Sequence, residues 1–101
     1  MSYERQAANM TKSILQSEKK CFVTGKTYGL HKHHIYEGFN RPHSEEHGFF
    51  VWLAPEWHNM SNKGVHFNKA FDSYLKKLCQ TEFEKTHSRK EFMSIIGRNY
   101  L

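Results

Sequence analysis

The sequence predicts an α+β fold: a β-hairpin, a loop and a further strand lead into a long helix and an additional C-terminal helix. Three observations carry that expectation. The stretch "FFVWLAP", residues 49–55, is a continuous apolar run closed by a proline, the pattern of a buried strand. Phe67, Ala70, Phe71, Tyr74, Leu75 and Leu78 recur at helical spacing with Asn68, Lys69, Asp72, Lys76 and Lys77 opposite, which predicts a helix over about residues 65–84. "SRKE", starting at Ser88, has the form of a capping box and opens the last helix, whose core face is Phe92, Ile95, Ile96 and Tyr100.

The remaining elements follow in order. Residues 1–20 are polar and charged, and only Ala7, Met10, Ile14 and Leu15 show helical spacing, so a frayed tail with a short helix precedes a domain spanning 21–101. "CFVT" has brief strand character, "GKTYG" is a turn, and "LHKHHIY" is a second strand, which together make the hairpin. "EGFNRPHSEEHG" is a loop with at most one helical turn after Ser44. "EWHNMSNKG" is a hinge into the long helix, where Phe67, Phe71 and Tyr74 are expected in the core.

At 101 residues the chain makes one domain, and its 15 aromatic residues argue against disorder. A net charge of +5 and a pI of about 9.3 suit a polyanionic partner such as DNA. Cys21 and Cys79 lie far apart with no disulfide-framework spacing. No stretch resembles a signal peptide or approaches the roughly 20 apolar residues of a membrane span, so a reducing cytoplasmic setting is expected.

The eight histidines are the most informative residues. His33 and His34 end the second strand, His58 follows the third strand and His66 opens the long helix. A strand end and a helix start brought together let four imidazoles converge, as metal ligands or as a general base near neutral pH. Strand neighbours point to opposite faces, so His33 and His34 share one site only where the strand ends or bulges. His31, His43, His47 and His87 have no partners at useful spacing and are expected to be surface or core histidines. Lys32, Arg41 and Lys63 lie near the predicted site and suit contacts with phosphates.

"LHKHHI", then "VWLAPEWHN", then "GVHFN" resembles the HNH nucleases, the ββα-metal or His-metal finger class, closest to small phage and prophage versions, over residues 21–78. The resemblance implies a ββα-metal core and a metal-dependent DNA endonuclease or nickase acting in the cytoplasm of a bacterial host. It casts His34 as the general base, His33 and His58 as metal ligands, and His66 as an additional ligand. One divalent ion is implied. Mg²⁺ or Mn²⁺ is the expected working ion, and nitrogen-rich ligation would hold Zn²⁺ or Ni²⁺ tightly. A protein partner or a homodimer is expected, because one centre cuts one strand.

Two departures from the family pattern qualify this. Where many members carry two zinc knuckles, "CFVT" and "APEW" keep Cys21 but have Thr24, Ala54 and Trp57. No structural zinc is therefore expected; Trp57 and neighbouring aromatics would pack in its place and Cys21 would be a half-buried thiol. The motif's central Asn, nine residues before His58, is Phe49, so the Gly48 backbone or His47 would have to orient the base. The alternative is a catalytically silent module on the same fold that binds nucleic acid or a protein. A third reading is a domain merely stabilised by metal.

Overall fold

The computed structural model describes residues 11–101. Its sheet has two antiparallel strands, β1 (His31–His34) and β2 (Phe50–Leu53), with His31 opposite Leu53 and His34 opposite Phe50. Helix α1 (Arg41–His47) lies between the strands, and α2 (Pro55–His58), α3 (Lys69–Phe83) and α4 (Arg89–Ile96) follow them. Single 3-10 turns occupy Gly38–Asn40 and Val65–Phe67. The architecture is α+β, as expected, but its hairpin is built from different segments.

Cys21–Thr24 is a turn rather than a strand, closed by Gly25 N–H on the Cys21 carbonyl (2.8 Å) and Cys21 N–H on the Lys26 carbonyl (2.7 Å). β1 therefore pairs with β2. The outer edge of β2 is satisfied by separate bonds: Phe22 N–H donates to the Trp52 carbonyl, and Trp52 N–H donates to Gln16 Oε1, each at 2.8 Å. One edge contact explains why "CFVT" looks like a strand without being one.

The stretch expected as a loop contains α1, nearly two helical turns long. Pro42 sits in its first turn, where no intrahelical N–H is needed. Gly48 closes it at φ +76°, and a Cβ there would collide with the Lys12 carbonyl. Buried Ser44 pins the helix to the exit of β1: its hydroxyl donates to the Tyr36 carbonyl (2.7 Å) and accepts from Tyr36 N–H (3.1 Å). Glu45, the next residue, is thereby held beside the strand end.

The long helix starts at Lys69 rather than residue 65, because Asn68 Oδ1 caps it by accepting from Phe71 N–H (3.1 Å). The later start places Phe67 outside the helix, 66% exposed, and Tyr74 is 54% exposed, so neither belongs to the core. The buried stripe is Leu75, Cys79 and Phe83, continued by partly buried Phe71, a register rotated from the expected one. The Ser88 capping box is present, with Glu91 N–H donating to Ser88 Oγ and Ser88 N–H to Glu91 Oε1, each at 3.1 Å. Phe92 and Ile96 are buried; Tyr100 also packs on the core, but from beyond the Gly97 cap. Tyr36, Phe49, Phe83 and Phe92 form the aromatic centre of that core, with ring centroids 5.4 Å apart for Tyr36–Phe92 and Phe49–Phe83.

Residues 11–20 contain no helix, while Ala7 and Met10 lie outside the described residues. Ile14 and Leu15 pack on the core, and Ile14 N–H donates to the Gly48 carbonyl (2.9 Å). No helix among the described residues is long and apolar enough to cross a membrane.

Candidate metal centre

Strand alternation sorts the "HKHH" side chains into two sets. His31 and His33 face α2 and the Val65–Phe67 turn, whereas Lys32 and His34 face Glu45 of α1. β1 ends at His34, and a cleft of about 170 Å³ wraps around that end. His33 and His34 consequently line the same cleft while pointing to opposite faces, with His58, His66, Lys32 and Arg41 around them.

His33, His58 and His66 each offer a donor atom within 4.8 Å of the others. The Nε2 atoms of His58 and His66 are 3.0 Å apart, and His33 stands edge-on to both rings, with centroids at 5.3 and 5.2 Å. Pro55 starts the short helix that delivers His58, and Gly64 lets the next turn fold back over it. A Cβ at Gly64 would stand 2.7 Å from the His58 carbonyl oxygen, so glycine permits the approach that brings His66 to His58. His66 lies in a 3-10 turn ahead of α3, a correction to its expected place at the helix start.

His33 is 1% exposed, and its Nε2 is buried without a hydrogen-bond partner among the described residues. Such an orphan is costly, on the order of 1–3 kcal/mol for a neutral group. A metal ion accepts this lone pair, so the donor set fits a bound divalent cation. Burial, reinforced by His58 and His66, pushes the His33 imidazole down to about 3. Burial, with His66 and His31, pushes His58 down to about 4. Both rings are thus held in the neutral form that ligates metals.

The same shifts fix a pH dependence for the metal-free protein. Below its ordinary value of 6.5, His33 takes up a proton in the unfolded chain but not in the fold until about 3. The unfolded state then binds more protons, so stability falls as the pH drops through this window. His33 alone is expected to lower stability by about 2 kcal/mol between about pH 8 and pH 5. Urea unfolding of metal-free protein checks this: the midpoint should fall at pH 5, and an unchanged midpoint would exclude a buried neutral His33.

On the other face, His34 Nε2 lies 2.7 Å from Glu45 Oε1, and Lys32 Nζ lies 3.1 Å from Glu45 Oε2. The hydrogen bond from His34, assisted by Lys32, holds the Glu45 carboxyl below its ordinary range. Glu45 thus fixes the His34 ring, the role expected of Gly48 or His47. Neither is placed for it: the Gly48 carbonyl accepts from Ile14 N–H, and His47 stacks on Phe49 at 5.6 Å. Nothing in the sequence marks Glu45, which sits in a stretch with loop composition.

His31 is a second residue the spacing missed. Its Nδ1 lies 2.9 Å from His58 Nδ1, so it belongs to the cluster and orients His58. His43, His47 and His87 stay outside it, against Phe39, Phe49 and Phe83. Lys32 and Arg41 line the cleft; Lys63 does not, its Nζ lying 4.8 Å from the Trp57 ring centroid.

The segments matched to zinc knuckles do meet. Cys21 is fully buried rather than half-buried. Burial raises its thiol, but hydrogen bonds with the Thr24 side chain and the Ala54, Thr24 and Val23 backbone outweigh that and lower it. Trp57 packs against Phe71, with ring centroids 6.1 Å apart. No family model, curated protein or solved structure matches this chain.

Proposed function

We propose that the chain is a metal-dependent DNA endonuclease or nickase on an HNH-like ββα-metal core, phage-derived and working in the bacterial cytoplasm. The observation that carries this is buried His33, its Nε2 without a hydrogen-bond partner among the described residues, grouped with His58 and His66, with a carboxylate-anchored His34 on the same cleft. A divalent ion bound there supplies charge neutralisation at the phosphodiester and stabilisation of the leaving 3′ oxygen.

His33, His58 and His66 would hold the ion, and His31 fixes His58 through its second ring nitrogen, as ligand histidines generally require. His34 donates its Nε2–H to Glu45, which leaves Nδ1 as the basic nitrogen that takes a proton from water. Lys32, though paired with Glu45, and Arg41 present positive charge to the phosphates along the cleft. A homodimer or protein partner supplies the second centre for cutting both strands.

Plasmid conversion tests this. Supercoiled DNA should be nicked by the wild type with at least one of Mg²⁺, Mn²⁺, Ni²⁺ or Zn²⁺, and EDTA should stop it. A silent binding module is the second reading, favoured by Phe49 in place of the motif's Asn. It predicts metal and DNA binding without conversion under any of these ions.

A further inference from the structure

His33 belongs to a second donor set as well. His33, Glu37 and Asp72 also each offer one ligand atom within 4.8 Å of the others. Glu37 lines the same cleft, and its Oε1 is 3.6 Å from His66 Nδ1, so it stands between the two sets. Asp72, in the first turn of α3, gives Oδ2 to Lys76 at 2.9 Å, leaving its other oxygen to donate. His33 is buried and its Nε2 has no hydrogen-bond partner among the described residues, so its ring is left for a ligand in either set.

We propose that His33 is shared between two mutually exclusive cation positions: an imidazole position with His58 and His66, and a mixed position with Glu37 and Asp72. Three imidazoles suit Zn²⁺ or Ni²⁺, whereas one imidazole with two carboxylates suits the harder Mn²⁺ or Mg²⁺. The carboxylates also bring negative charge, which the neutral imidazoles do not, although Lys76 already offsets part of that of Asp72. One lone pair serves one ion, so occupancy of either position empties the other. The metal assignment rests on the proposed centre, but cation binding is measurable without any nuclease activity.

The test uses the full chain, with Mn²⁺ binding followed by electron paramagnetic resonance and Zn²⁺ binding by chelator competition. Zn²⁺ should displace Mn²⁺ at about one equivalent. The paired change Glu37→Gln and Asp72→Asn should weaken Mn²⁺ about tenfold or more and leave Zn²⁺ within about threefold. His58→Ala should do the reverse. Glu37→Gln alone, at a partly exposed loop position, repeats the carboxylate arm with little risk to folding. Simultaneous binding of both ions, or equal losses for both ions in every variant, would overturn the shared-ligand arrangement. Absence of DNA cleavage by the wild type, with the reciprocal metal pattern intact, would count against the nuclease reading alone.

Discussion

Replacing His34 by alanine is expected to slow plasmid conversion by about 10²–10⁴-fold, the usual contribution of a general base, with metal affinity and fold retained. His34 stands outside both groups of metal-donor residues, so its loss removes no ligand. Its side chain is only 12% exposed but lies outside the apolar core cluster, meeting Glu45 on one side and the Phe50 ring at 6.3 Å on another. The carboxylate it leaves is not stranded: Lys32 Nζ remains 3.1 and 3.3 Å from the two Glu45 oxygens. Initial rates of nicking, a thermal melt and a metal titration on the same preparation separate the roles. Wild-type cleavage by the variant would remove His34 as the base; loss of metal binding would make it a ligand.

What the sequence revealed of this site was the part written in residue identity. His33, His34, His58 and His66 stood out because imidazoles are rare enough for their spacing to carry meaning, and the structure brings all four to one cleft. Glu45 did not stand out, since its position depends on Ser44 bonding to Tyr36, a contact no local pattern announces. His31 has no partner near it in sequence; its partner, His58, is 27 residues away. The helix and its cap at Ser88 were legible from local chemistry, and "FFVWLAP" marked β2. Strand pairing was not, because both "CFVT" and "FFVWLAP" are plausible neighbours for β1 and tertiary packing decides between them. The exposure of Phe67 has the same origin: periodicity shows that an apolar face exists, while the Asn68 cap leaves Phe67 outside the helix; Tyr74 lies within the helix but off its buried stripe of Leu75, Cys79 and Phe83.

Placing at position 49 the amide that the HNH motif carries, by Phe49→Asn, is expected to unfold the protein rather than improve it. Phe49 is fully buried, and its ring meets Tyr36, Phe83 and Phe92. Removing a buried phenylalanine ring costs about 3–5 kcal/mol, and an unpaired buried amide adds about 1–3 kcal/mol. Against a typical total stability of about 5–15 kcal/mol, the melting temperature should fall by roughly 15 °C or more, or the cooperative transition should vanish. Conversion measured below that melting point should not rise. Alternation places Phe49 opposite in sense to Phe50, whose ring faces Lys32 and His34, so a side chain at 49 points into the core and away from the base. An unchanged melt with faster nicking would mean that position 49 can reach His34 after all. The expected result, a collapse of stability with no gain in rate, would instead show that position 49 serves the core and not His34, whose ring meets Glu45 of α1.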